Sequence, residues 1–371
     1  MRITLFRLFG IPVRLDASWF VVVALIAWSL ATGAFPALYP NLPLETYWLM
    51  GIAGTIGLFA SIVVHEFFHA LVARRHAIPM QGITLFIFGG VAEMGDEPTT
   101  ARAELAMAAA GPIASIVLCL MALGVGAAAR GVWPVPVAGV ISYVGMLNGV
   151  LAVFNLLPAF PLDGGRVLRA ALWTRKKDLR RATETASRVG RGFSVAFMAA
   201  GVLGVLAGNV LTGAWWILIG LFLQRASTGS YEQVVVRQAL EGEPVTRFMD
   251  DHPITVPPEL SLAELVDSYI YRHHFQLFPV VEGGHLLGCV TTADVKRVPR
   301  DEWAHRTVGS VFDRAGPDNT IASNADALRA MALMRRTGQT RAMVADNGHL
   351  LGVVTMKDLL EFFALKAELG G

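Results

Sequence analysis

The stretch A60-SIVVHEFFHALVARRH-76 follows T46-YWLMGIAGTIGLF-59, an uncharged run long enough to enter a bilayer. It places His65, Glu66 and His69 where ionisable groups are costly. A charge near the middle of a spanning helix costs roughly 2.5–3.5 kcal/mol on insertion scales, so such groups usually have a partner and a task. On a helix, residues four apart share a face, and both imidazoles can then reach one metal ion with Glu66 beside them to activate water. Taken alone, this segment equally fits two interfacial histidines and a glutamate whose carboxylate snorkels to the headgroups. His76, among interfacial basic residues, and the pair His273 and His274 further along are expected not to be ligands.

The rest of the chain supports a membrane setting. Of 371 residues, 54% are hydrophobic and 16% charged, with a mean hydropathy of +0.51; soluble domains carry about 25% charge. The apolar residues crowd into the first 225 positions, whereas 230–371 has ordinary soluble composition. A multi-pass α-helical membrane domain over 1–229, a linker over 230–244 and a soluble α/β module over 245–371 are expected. The net charge of +2 says little about partners by itself, and no nucleic-acid partner is expected. Cys119 and Cys289 fall in different domains, so no disulfide framework is implied.

A spanning helix needs about 20 apolar residues, and six segments qualify: 18–36, 47–73, 105–129, 137–157, 189–208 and 210–228. The first 17 residues are too polar to span and alternate enough for a short strand pair at the membrane surface. Residues 193–224, FSVAFMAAGVLGVLAGNVLTGAWWILIGLFLQ, form one uncharged run, either a long tilted helix or a hairpin broken at Gly208, Asn209 and Gly213. Turn-forming Gly and Asn favour the hairpin. Cytoplasmic loops carry the excess of Lys and Arg. Arg2, Arg7 and Arg14 precede the first span, Arg74 and Arg75 close the second, and Arg166, Arg169, Arg175, Lys176, Lys177, Arg180, Arg181, Arg188 and Arg191 lie between the fourth and fifth. With the hairpin, both termini and the soluble module are cytoplasmic; a single helix would put the module outside.

A catalytic zinc commonly takes three protein ligands and leaves one position open, so a third ligand is required at the depth of the histidines. Asp163, at the end of the fourth span in G149-VLAVFNLLPAFPLDGGRVLRA-170, supplies it. His65 lies about 13 Å of helix rise from Arg74, and Asp163 precedes the basic stretch that starts at Arg166, so both arms enter the same leaflet. Pro158 and Pro161 break the helix there, and irregular backbone at membrane depth is tolerated where it is buried in protein or lines a watery cavity.

His65-Glu66-x-x-His69 together with Asn155-x-x-Pro158-x-x-x-Leu162-Asp163-Gly164 resembles the site-2 protease family of intramembrane zinc metalloproteases, peptidase family M50, over residues 1 to about 225. The resemblance implies that His65, His69 and Asp163 bind one Zn2+ and that Glu66 is the general base, taking a proton from the attacking water and passing it to the leaving amine. It assigns Asn155 to steadying the oxyanion or the substrate backbone; a helix-packing amide is the other reading. It also gives Q81-GITLFIFGGVAEMGDE-97 a role. Thr84, Phe86 and Phe88 alternate with Leu85 and Ile87, and Gly89 with Gly90 makes a hairpin-like break. In the family a strand here is thought to pair with unwound substrate, whereas the residues alone equally fit a packing hairpin. Ala110-Gly111-Pro112 suits the family too; locally it is a small-residue packing site. The implied substrates are membrane proteins with a transmembrane helix, cut in regulated intramembrane proteolysis at the cell membrane.

The soluble part repeats itself: G284-HLLGCVTTAD-294 returns as G348-HLLGVVTMKD-358, 64 residues on. Each copy follows an apolar strand, FPVVE or AMVAD, and a helix with a capping-box pattern, Ser261-x-x-Glu264 or Ser323-x-x-Asp326. This resembles a tandem pair of CBS domains, with repeats at about 245–300 and 305–365. The resemblance points to Thr291 with Asp294 and Thr355 with Asp358 as contacts for an adenine nucleotide, ATP or AMP. The same residues could equally cap the helices that follow them, with the pair serving structure or homodimerisation. A different class stays in view, a CBS-regulated transporter or channel without proteolytic activity, because intramembrane carboxylates can also mark an ion path. Convergence of two imidazoles and a carboxylate on one point separates the two.

Overall fold

The computed structural model describes residues 2–86, 89–94 and 98–368. The chain divides into two compact units, Met1–Glu232 and Gln233–Gly371.

The first unit opens with the expected strand pair, β1 (Arg2–Leu8) and β2 (Ile11–Asp16), antiparallel. They turn on Phe9 and Gly10, both at positive φ, the conformation of a tight two-residue hairpin. Two more strands, β3 (Met80–Phe86) and β4 (Gly89–Met94), extend them into a sheet of order β1-β2-β3-β4, in which β2 and β3 run parallel. That union of distant segments was not expected. Phe86 pairs with Gly89 and Leu85 with Gly90, so the two glycines open β4 rather than form the break. Ile87 and Phe88, and residues 95–97, lie outside the described residues.

Among the described residues, six helices are long and apolar enough to cross a bilayer. They are α1 (Ser18–Leu38), α2 (Leu44–Arg75), α3 (Ala101–Ala128), α4 (Val135–Asn155), α6 (Leu179–Leu206) and α7 (Val210–Leu240); the shorter α5 (Asp163–Lys176) lies between α4 and α6. Large apolar side chains such as Val117, Leu120 and Met121 on α3 face outward, while Ala103, Ala108, Ala114, Ser115 and Gly126 are buried. Small residues inside and large ones outside is the packing expected where lipid is the solvent and close helix approach drives association. The run 193–224 is a hairpin: α6 ends at Leu206, Gly208 takes φ +88° and α7 starts at Val210. Asp163 does not end the fourth span as expected. The span closes at Asn155, residues 156–162 form an irregular loop, and Asp163 is the first residue of α5.

The second unit holds two repeats, each with its own core. Strands β5 (Leu277–Glu282) and β6 (His285–Thr291) pair antiparallel and lead into α8 (Thr292–Lys296). In the second repeat α9 (Ala327–Thr337) precedes β7 (Arg341–Asp346) and β8 (His349–Thr355), followed by α10 (Met356–Glu368). The registers match at the 64-residue spacing, Leu277 opposite Thr291 and Arg341 opposite Thr355. His285 pairs with His349 across β6 and β8, so a local two-fold relates the repeats. Ser261 caps its helix by accepting from the Glu264 amide. Ser323 does not, because it hydrogen-bonds Asp346, and Asp326 is the N-cap of α9. The expected linker is helical through Leu240, a residue of the second repeat's core.

Candidate active site

α2 brings His65 and His69 to one face, one turn apart and 3% and 6% exposed. α5 presents Asp163 to them from its first turn. Asp163 Oδ2 lies 3.1 Å from His65 Nε2 and 3.1 Å from His69 Nε2, and the two Nε2 atoms are 3.1 Å apart. These three residues form the group of possible metal ligands found among the described residues.

The tautomer of His69 follows from its other nitrogen. Nδ1 lies 2.7 Å from the Met107 carbonyl oxygen on α3, which can only accept, so Nδ1 carries the proton and Nε2 presents a lone pair. Ser115 Oγ, 2.9 Å from His65 Nδ1, can accept in the same way. A carboxylate oxygen and imidazole lone pairs converging in a buried space repel one another unless a cation sits among them. Donors 2.0–2.2 Å from a tetrahedral zinc lie about 3.3 Å apart, close to the separations seen here. The set of two imidazole nitrogens and one carboxylate oxygen, each imidazole anchored through its far nitrogen, therefore fits a catalytic zinc with an open fourth position.

α3 is the floor of this site. A Cβ on Gly111 would fall 2.5 Å from His65 Nε2 and 2.7 Å from His69 Cε1, so the imidazoles rest directly on its backbone. Gly90 in β4 makes a similar approach to Glu66, where a Cβ would lie 2.7 Å from Cγ and 3.2 Å from Oε1. Glu66 is half-buried on the helical turn shared by the two histidines. One turn before His65 on α2, Ser61 Oγ accepts at 2.8 Å from Asn148 of α4, which is 1% exposed.

The structure thus joins His65, His69 and Asp163 and sets Glu66 beside them under an edge strand. Asn155 ends α4, half-buried; among the described residues the triad's side chains bond one another, Ser115 and the Met107 carbonyl. In the second unit the Thr291 and Asp294 side chains form a reciprocal capping box on α8; Asp358 Oδ2 likewise accepts from the Thr355 amide at 3.1 Å and hydroxyl at 2.7 Å. Ser115 and the Met107 carbonyl escaped the sequence reading, since a serine in an apolar helix and a backbone oxygen carry no pattern. Gly111 was visible only as a packing site. Arg169, counted as a surface charge of the basic stretch, is 4% exposed and ion-paired with Glu104.

Comparison with known proteins gives the chain its relatives. The model of "Peptidase family M50" matches residues 53–135 and 132–197, and the CBS domain model matches 245–301 and 313–365. A candidate zinc metalloprotease of Synechocystis sp. is 33% identical over 95% of this chain and 93% of its own. The candidate zinc metalloprotease Rip3 of Mycobacterium tuberculosis is 32% identical over 96% and 91%. The solved structure of a site-2 protease from Methanocaldococcus jannaschii is similar at 27% identity, with a TM-score of 0.42, covering 62% of this chain and 95% of that one. Sequence, donor set and relatives agree: this chain belongs to peptidase family M50 and is a metalloendopeptidase with a pair of CBS domains behind its peptidase domain.

Proposed function

We propose that this protein hydrolyses peptide bonds in or near the transmembrane segments of membrane-protein substrates, in regulated intramembrane proteolysis, with His65, His69 and Asp163 holding one Zn2+ and Glu66 as general base. The observation that carries the reading is the buried triangle of donor atoms at 3.1 Å. When bound, the zinc ion supplies Lewis acidity at the scissile carbonyl and at the attacking water. Glu66, beside the triangle and half-buried, accepts the proton of that water and returns it to the leaving amine. Met107 and Ser115 fix the imidazole rings, and Asn155 steadies the oxyanion or the substrate backbone.

A transmembrane helix shields its amides, so the substrate must unwind before it can be cut. β4 ends its sheet and crosses above Glu66 at Gly90. An unpaired strand edge accepts an extended segment through backbone hydrogen bonds, which would hold the unwound substrate over the base. The basic residues after α5 and the Lys- and Arg-free turn 207–209 support cytoplasmic termini in a multi-pass protein of the cell membrane. The CBS pair then lies in the cytoplasm, where adenine nucleotide at Thr291 and Asp294 or Thr355 and Asp358 would regulate proteolysis, and where two copies could pair.

The test uses full-length protein in detergent. One zinc per chain is expected, lost in His65→Ala, while Glu66→Gln keeps the metal and loses cleavage of a single-pass substrate. Equal zinc in His65→Ala, or full activity in Glu66→Gln, removes the assignment.

A further inference from the structure

Glu104 lies one turn before Met107 on α3 and is fully buried. Its partner is Arg169 of α5, whose Nε donates to Glu104 Oε1 at 2.6 Å and whose Nη2 reaches the same oxygen. Among the described residues Glu104 Oε2 has no hydrogen-bond partner. The Arg169 guanidinium also lies over the Phe160 ring, 5.3 Å from its centroid. Phe160 is 3% exposed, three residues before Asp163, and its carbonyl accepts from Ser227 Oγ at 3.0 Å.

A buried ion pair is a poor source of stability, since desolvation of both charges offsets their attraction and a hydrophobic pair of similar volume often does as well. It is a directional tie, and its direction is informative. α3 supplies the Met107 carbonyl, the Gly111 backbone and Ser115 to the imidazoles, so it is the frame against which the two histidines are set. Asp163 comes from a different element, reached through the irregular loop 156–162. Metal ligation tolerates errors of about 0.2 Å, and a ligand on a separate helix needs its own reference to that frame.

We propose that Glu104 and Arg169 are a positioning pair that fixes Asp163 against the two imidazoles. Arg169 ties α5 to α3 through Glu104 and clamps the loop through Phe160, about 9 Å of helix rise from the carboxylate it steadies. This inference rests on the zinc reading of the site. Arg169 Nε and Nη2 act on one carboxylate oxygen, so the geometry depends on the planar fork and on the ring beneath it. A lysine would keep the charge and lose both.

The experiment measures zinc affinity of full-length protein by chelator competition, together with the ligand-field spectrum of the cobalt(II)-substituted protein. The double variant Glu104→Gln/Arg169→Met removes both charges without stranding either; Arg169→Lys keeps the cation, and Phe160→Leu touches neither charge. Zinc affinity about 10- to 100-fold weaker and an altered cobalt spectrum, in whichever variants fold, are expected. A merely structural pair would lower the thermal midpoint and leave affinity and spectrum of the folded protein at wild type, which would overturn the proposal. A wild type that takes up no zinc would overturn the reading of the site itself, whereas tight wild-type zinc with equally tight variants overturns only the positioning role.

Discussion

Gly111→Ala adds one methyl group at the centre of the site. The new Cβ would lie 2.5 Å from His65 Nε2 and closer still to His69 Nε2, whereas ordinary van der Waals contact begins near 3.4 Å. The His65 imidazole must therefore retreat by about 0.9 Å and that of His69 by more, several times the roughly 0.2 Å tolerance of metal-ligand distances. They are the tips of side chains and can swing aside, at the expense of the bonds from their Nδ1 atoms to Met107 and Ser115. Each such bond contributes about 0.5–1.5 kcal/mol, while alanine in place of a mid-helix glycine gains about 0.5–1 kcal/mol. Stability without metal should thus fall by no more than about 2.5 kcal/mol. Zinc affinity should fall by 100-fold or more, about 2.7 kcal/mol, and proteolysis with it. Chelator competition and a thermal scan of metal-free protein separate the two quantities. Gly124→Ala, on the same helix with nothing within 4 Å of its Cβ, is the control. Wild-type zinc affinity in Gly111→Ala would refute the placement of the imidazoles against α3.

Two other regions give independent checks. In the α6–α7 hairpin a Cβ on Gly213 would meet the Gly201 carbonyl at 2.5 Å; Gly213→Leu should splay the helices and lower stability by about 1–3 kcal/mol, read as an earlier thermal or proteolytic transition. Burial pushes the Cys289 thiol up to about 12, with Asp313 and Asp294 adding to the shift. The reactive thiolate is then about one part in ten thousand at pH 8, so Cys289 should resist maleimide in the folded module and react at once in denaturant. Rapid native labelling would place it outside the core.

Why part of this was legible in the sequence and part was not has a physical explanation. The spans were visible because lipid demands long apolar runs, and the break at Gly208 because αL backbone favours glycine. His65, Glu66 and His69 could be read together because helical periodicity brings positions four apart to one face. Asp163 needed a rule about ligand number and a match of depth. The repeat in the tail was legible because two copies must satisfy one strand register, down to the paired His285 and His349.

What escaped is what depends on the partner across a contact. Ser115 and Met107 act on the histidines through a hydroxyl and a carbonyl that any helix of similar composition would carry, so only coordinates identify them. Gly90 resembled a turn and is instead a place where a strand lies on Glu66. Arg169 shows the limit most plainly. Charge counting placed it with the cytoplasmic basic residues, a rule that works because most arginines near a membrane surface are solvated. This one turns inward to Glu104, and Glu104 stood in the sequence as an acid directly before the expected span 105–129. A misfit to the local pattern in one helix and an apparent fit in the other resolve each other. A charge that fits neither lipid nor water at its own position is therefore best read as half of a pair, with the other half sought among the charges that fit too easily.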